Sequence, residues 1–307
     1  MGENKKADFN MLNSISKPTN ILLNLILLSY GLLCLLPLFL IISASLSEEK
    51  MLAINGYRFI PQNFTTFAYS YIFSNTPQVM TAYGISIIVT VVGTILGVLV
   101  MALYAFPLSR QDFKYKNFFS FYLLFTMLFS GGMVSTYLIG VNVLHLKDNI
   151  WGLIFPYLMN AFNVIILRTF YKTNIPDSLI ESAKIDGAGE FTIFFNIVVP
   201  LALPGIATIA LFLMVQYWND WFLATLYINE PNLAPLPYLL YQLQTSMQYL
   251  LQNSSNIGGR AGDVLAKMPS ESARMAMVVI GVGPVVLTFP FFQKYFIKGL
   301  TVGAIKG

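Results

Sequence analysis

Charge is scarce in this chain of 307 residues: Asp, Glu, Lys and Arg make up only 10% of it, against about 25% in soluble domains. Hydrophobic residues reach 56%, and the mean hydropathy is +0.66. That balance excludes a soluble enzyme, a disordered chain and a nucleic-acid-binding protein. One Cys and one His leave no intrachain disulfide and no thiolate or imidazole cluster for a metal. Cys34 lies inside an apolar run and is expected as a small core residue. His145, beside Lys147 and Asp148, is expected to be solvated in a short loop. Chemical motifs are missing too, since no G-x-x-x-x-G-K-[ST], H-E-x-x-H or G-x-S-x-G occurs. No catalytic residue, cofactor or metal is expected, and any ATP-driven work must fall to another chain.

What the chain does have is apolar length. A membrane-crossing helix needs about 20 mainly apolar residues, and within lipid only a helix or a closed barrel satisfies the backbone. Six segments qualify: 20–44, 80–107, 118–141, 150–171, 201–225 and 274–296. A seventh, 231–259, is uncharged but interrupted by Gln242, Gln244, Gln248, Gln252 and Asn253, with Pro231, Pro235 and Pro237 at its start. It reads as a long polar loop outside the bilayer. The N-terminal run resembles a signal peptide only faintly, because its apolar body from Ile21 to Ile42 exceeds the roughly 7–15 residues of a signal core. The expected organisation is a cytoplasmic segment 1–19 and a single membrane domain over 20–307.

The net charge of +4 reports orientation. With the N-terminus inside, Lys5, Lys6, Lys17, Arg110, Lys114, Lys116, Arg168, Lys172, Lys184, Lys294, Lys298 and Lys306 fall in cytoplasmic segments. Lys50, Arg58, Lys147, Arg260, Lys267 and Arg274 remain outside. This two-to-one bias places both termini in the cytoplasm by the positive-inside rule.

One cytoplasmic loop, 172–200, is longer than a connector requires and holds four acids, Asp177, Glu181, Asp186 and Glu190. Pro176 before Asp177 and Ser178 marks a helix start, with an acid where the helix dipole favours it. Leu179, Ile180, Ala183 and Lys184 follow at helical spacing. Gly187-Ala188-Gly189 stops this helix, and a second is expected from Glu190 through Val199. An amphipathic helix lying on the membrane is the alternative, but it would carry more cations than Lys184 alone.

Glu181-Ser182-Ala183, three residues, Gly187, nine residues, then Ile197-Val198-Val199-Pro200 resembles the EAA signature of ABC-importer permeases, E-A-A-x3-G-x9-I-x-L-P. Ser182 replaces the second Ala and Val199 the Leu, while every spacing is kept. Ala105-Phe106-Pro107-Leu108-Ser109-Arg110, Tyr217-Trp218-Asn219-Asp220-Trp221 and the tail from Gln293 to Gly307 are similar to maltose-type sugar permeases, so the resemblance covers most of the chain beyond residue 80. It implies an all-α type I importer fold with six spans in a bacterial plasma membrane, and a chain that is not itself an enzyme. It also implies a coupling helix gripped by an ATPase dimer, a second homologous permease forming a heterodimer, an extracellular solute-binding protein and a carbohydrate substrate. Glu181, Ser182, Ala183, Asp186, Gly187, Gly189, Ile197 and Pro200 are the expected ATPase-coupling residues, with Gly187 and Gly189 turning the chain.

Polar groups within a span face a cavity or a partner. Gln216, Asn219 and Asp220, with the flat faces of Tyr217, Trp218 and Trp221, suit a path for a neutral, hydroxyl-rich solute. Asp220 could equally brace a loop, and the resemblance implies that the sugar rests chiefly on the other permease. Gly93-x-x-x-Gly97 allows close helix approach, either within the bundle or to the partner. Asn160 and Asn163 read as scaffold bonding across helices, and Gly281, Gly283, Pro284 and Pro290 as a bend. An ABC permease for peptides or amino acids is the nearest alternative. An ion-coupled transporter is further off, since it would show more spans and more buried acids.

Overall fold

The structure is a computed structural model that describes residues 17–75, 78–252 and 271–304. Residues 1–16, 253–270 and 305–307 lie outside the described residues, and with them most of the expected N-terminal segment, the end of the polar loop, Arg260, Lys267 and the last of the tail. All described regular structure is helical. In chain order the helices are α1 (Lys17–Ser45), α2 (Glu49–Asn55), α3 (Phe67–Asn75), α4 (Gln78–Ser109), α5 (Lys116–Leu128), α6 (Gly132–Asn142), α7 (Trp151–Tyr157) and α8 (Ala161–Asn174). They continue as α9 (Asp177–Ile185), α10 (Glu190–Leu201), α11 (Leu203–Asn219), α12 (Phe222–Tyr227), α13 (Leu236–Gln252) and α14 (Glu271–Ala304). The chain divides into two compact units, Met1–Tyr71 with Met268–Val279 and Ile72–Lys267 with Ile280–Gly307.

In the first unit α1 is apolar all round and exposed along most of its length, the state of a helix whose solvent is lipid rather than protein. Cys34 is exposed on it, not in a core as expected, because no described segment packs over that stretch. Glu49 supplies the missing partners at the start of α14. Its carboxylate accepts the N–H groups of Glu271 at 3.0 Å and Ser272 at 2.9 Å and the Ser272 hydroxyl at 2.8 Å. A negative group there satisfies orphan donors and complements the helix dipole.

In the second unit α4 is the central helix, packed against α11 and α8. Close approach to α11 rests on missing side chains. A methyl group at Gly93 would stand 2.5 Å from the Tyr217 ring, and one at Gly97 3.0 Å from Leu213. The G-x-x-x-G therefore serves the chain's own bundle. The pattern recurs where Gly205 faces the Phe170 ring and Gly140 the Tyr227 hydroxyl.

Three helices, α1, α4 and Glu271–Gln293 of α14, are long and apolar enough to cross a membrane unaided. The other expected spans are not single rods. α5 and α6 bend by 113°, α7 and α8 by 51°, and α10 and α11 by 82°, so the described residues hold three to six candidate spans. Each break has a local cause. Between α5 and α6, Phe129 is extended and Gly132 has φ +80°. Between α7 and α8, Asn160 turns extended and its side chain accepts the Asn163 N–H as a helix cap. That cap is local, not the cross-helix bond expected of Asn160. Between α10 and α11, Pro204 fits the first turn of a new helix after the kink at Ala202.

The segment expected as a polar loop over 231–259 instead contains α13. Leu236 and Leu239 are buried, Gln242, Gln244 and Gln248 are exposed, and the Leu236 N–H donates to Ser86 Oγ at 2.8 Å. A helix with one apolar face reconciles the glutamines with a packed position.

α14 carries Pro284 inside its run. Proline has no N–H, so the carbonyl four residues back loses its donor, and the ring crowds that turn. Tyr83 replaces the lost donor, its hydroxyl reaching Ile280 O at 2.7 Å, and the Trp218 Nε1–H donates to Gly281 O at 2.8 Å. Side chains from α4 and α11 thus occupy the two carbonyls beside Pro284.

Candidate functional site

The corner between α9 and α10 is built by a few backbone hydrogen bonds. Asp177 starts α9 after extended Pro176, and Asp186 ends it. Gly187 then takes φ +80°. Its N–H donates to Lys184 O at 3.0 Å, and the Ala188 N–H donates to Ala183 O at 2.9 Å. Those two bonds are the Schellman pattern, which places a left-handed residue just past the helix end and strongly favours glycine there. The spacing from Glu181 to Gly187 in the sequence is therefore the length of the last helical turns plus their cap. Gly189, expected to share the turn, has φ −73° and open space where a side chain would lie. The corner needs only Gly187.

Around this corner Ile180 is buried, Ala183 and Ile197 are half-buried, and Glu181, Ser182, Asp186 and Pro200 face outward. Ser182 Oγ donates back to Ser178 O at 2.9 Å. Ile185 is 86% exposed at the tip of α9 and Phe191 73% exposed on α10, the two most exposed large apolar side chains of this segment. α10 begins at Glu190 as expected, but its middle, Phe194–Val198, is a π-helical turn. Pro200 follows two residues after its end, and a widened turn accommodates a residue that cannot donate to the standard ladder.

Sequence reading missed a set of ion pairs joining this corner to the end of α4. Arg110, nearly buried, forks onto Asp112 with Nε to Oδ1 at 3.0 Å and Nη2 to Oδ2 at 2.8 Å. Lys184 Nζ meets Asp112 Oδ2 at 2.9 Å and Glu190 Oε1 at 2.8 Å. The hydrogen bonds donated by Arg110 and Lys184 pull the Asp112 carboxyl down from 3.8 to about 2, and the bonds that Lys184 donates to Glu190 and Asp112 raise its own pKa. Nearby, Arg168 Nε donates to Leu108 O at 3.2 Å and Lys116 Nζ to Arg110 O at 3.1 Å. Cations here serve the orphan carbonyls at the C-terminal end of α4. The only sequence signal was Asp112 standing two residues after Arg110; its partner Lys184 is 72 residues away.

The residues read as a solute path gather at the C-terminal end of α11. Tyr217 is buried, its hydroxyl donating to Ile154 O at 2.9 Å. Trp218 lines an apolar cavity of about 420 Å³ with Thr90, Met214, Pro284 and Thr288. Asp220 accepts from the Tyr157 hydroxyl at 2.8 Å and from the Leu223 N–H at 3.1 Å, which ties α7 to the start of α12. Gln216 is half-buried, and Asn219 is exposed with its amide donating to Val215 O at 2.9 Å. Trp221 stacks on Tyr241 of α13, with ring centroids 4.3 Å apart and planes at 21°, and both are about two-fifths exposed. Tyr241 was not singled out from sequence. His145 is exposed, with φ +51°. No group of His, Cys, Asp and Glu among the described residues could hold a metal.

Apolar helices long enough for a bilayer, bent helix pairs and an ion-paired helical corner define a multi-pass membrane protein. The chain belongs to the family described as binding-protein-dependent transport system inner membrane component, whose model matches residues 109–302. It is 42% identical over 92% of its length, and 96% of the other chain, to the polygalacturonan/rhamnogalacturonan transport system permease protein YtcP of Bacillus subtilis. It is 29% identical over 88% of its length, and 91% of the other, to the arabinooligosaccharides transport system permease protein AraQ of Halalkalibacterium halodurans. Among solved structures, a bacterial ABC transporter involved in the import of the acidic polysaccharide alginate has a chain that aligns with a TM-score of 0.76 and 28% identity. That alignment covers 92% of this chain and 99% of the other.

Proposed function

We propose that this chain is a transmembrane permease subunit of an ATP-driven importer for oligosaccharides, with α9, the Gly187 corner and α10 as the segment that docks on the ATPase. The carrying observation is that the EAA-like residues form a Schellman-capped helix projecting Glu181, Ser182 and Ile185 outward. A short exposed helix on a firmly capped corner suits insertion into a cleft of another subunit. Each bent pair then counts as one span, giving six with both termini in the cytoplasm. The corner and the cations at the end of α4 face inward, and the C-terminal end of α11 faces outward.

A second permease completes the path, and an extracellular binding protein delivers the sugar. Relatives named for galacturonan, rhamnogalacturonan and arabinooligosaccharide transport support a carbohydrate over peptides or amino acids. Trp221, with Tyr241 and Asn219 beside it, is the best-placed surface for a sugar ring along that path. The test is uptake of labelled pectin-derived oligosaccharides by cells carrying Gly187→Val or Glu181→Lys, with membrane insertion checked by immunoblot. Both are expected to insert and to lose uptake; full uptake by both overturns the reading.

A further inference from the structure

Gly187 gives the corner between α9 and α10 its turn, and it also leaves that corner without side-chain support, since nothing lies within 4 Å of where a methyl group would be. A segment that merely pivoted there would move α9 without moving the bundle. Lys184 closes this freedom. It stands one turn before Gly187, and its Nζ bridges Asp112 at 2.9 Å and Glu190 at 2.8 Å. Glu190 opens α10 on the far side of the corner. Asp112 is itself mounted on the Arg110 fork, and the Arg110 side chain is only 9% exposed. The four groups form a continuous chain of opposite charges from the end of α4 through α9 to the start of α10. Remove the lysine and Asp112 keeps Arg110 while Glu190 loses its ion pair, so no positive charge joins the two carboxylates across the corner.

We propose that Lys184 is a positioning residue for energy coupling: its double ion pair locks the angle between α9 and α10 and fastens both to α4, so that displacement of α9 reaches α4 and α10 together. This rests on the docking role assigned above to α9.

The measurement is the ratio of sugar transported to ATP hydrolysed by the complete transporter in proteoliposomes: this chain, its partner permease, the ATPase and the binding protein. Lys184→Met is expected to lower that ratio about tenfold, because the stroke is lost at the corner. Lys184→Arg keeps both pairs and is expected within twofold of the wild type. Loss of structure alone lowers transport and hydrolysis in step and leaves the ratio unchanged. Glu190→Gln removes only the arm to α10 and is expected to lower the ratio about threefold, so it decides the matter if Lys184→Met does not assemble. A wild-type ratio in Lys184→Met, or in Glu190→Gln where Lys184→Met does not assemble, overturns the proposal. So does a Lys184→Arg ratio as low as that of Lys184→Met. Gly187→Val separates the two levels. If it transports at the wild-type rate, the docking role of this loop has failed; if it loses transport while Lys184→Met keeps the wild-type ratio, only the role of Lys184 has failed.

Discussion

Gly93→Ala adds one methyl group where α4 and α11 approach closely. Its carbon would lie 2.5, 2.7 and 2.8 Å from three atoms of the Tyr217 ring, about an ångström inside the 3.5–4.0 Å optimum for carbon pairs. The ring has nowhere to retreat without loss, because Tyr217 is 4% exposed and its hydroxyl donates to Ile154 O at 2.9 Å. Overpacking of this kind costs about 1–3 kcal/mol, and breaking the buried hydrogen bond adds about 1 kcal/mol. The expected total, about 2–4 kcal/mol, lowers the melting temperature of the purified protein in lipid nanodiscs by roughly 5–10 °C. Tyr217→Leu destabilises by itself through a cavity and a lost bond, but it also removes the ring that the new methyl strikes. The double variant is therefore expected to be more stable than the two single losses added together, by about 1 kcal/mol or more. An unchanged melting temperature in Gly93→Ala, or strict additivity in the double variant, refutes the packing argument.

Three other outcomes follow from the same geometry. Tyr83→Phe removes the donor that Pro284 withholds from Ile280 O and is expected to cost about 1 kcal/mol; in a Pro284→Ala background, where position 284 regains an N–H, calorimetry should find that cost nearly gone. Because the Asp112 carboxyl is held below its usual range, at about 2, its stabilising contribution is present above about pH 4 and is lost as pH falls toward 2. Asp112 is more than half exposed, so Asp112→Asn is expected to cost less than about 1 kcal/mol at pH 7, and melting curves at pH 7 and pH 3 should show the difference shrinking at the lower pH. Ile185→Glu replaces an apolar side chain at the exposed tip of α9 with a charge; affinity purification is expected to recover much less ATPase with it, while the chain itself remains in the membrane.

The helical class and the positions of the apolar stretches were legible in the sequence because composition and run length report them directly. So was the corner, since Gly187 marks the end of α9 by a local backbone rule. The bends were not. They arise at Ala202, Gly132 and Asn160, where a few backbone angles redirect a helix without interrupting its hydrophobicity. α13 escaped because prolines and glutamines read as loop, while its buried side depends on Leu236 and Leu239 meeting a surface supplied by other segments. Pairing between Lys184 and Asp112 was hidden for the same reason, as their separation in the chain carries no periodic signal. Gly93 was recognised as a close-approach residue, but only Tyr217 opposite it decides that the approach is internal.

The π turn at Phe194–Val198 sets an angular phase. A π turn accommodates one residue more than the α turn it replaces, and one residue of an α-helix is worth about 100° of rotation. Deleting a single residue there would heal α10 into a regular helix with its phase kept, whereas rewinding all five residues as regular α-helix would swing α9 about 100° around the axis leading into α11. The segment thus works like the keyway of a shaft: what it holds is the direction in which the corner faces, and a full-length chain with this turn made regular could fold, insert and still present that corner to the wrong side.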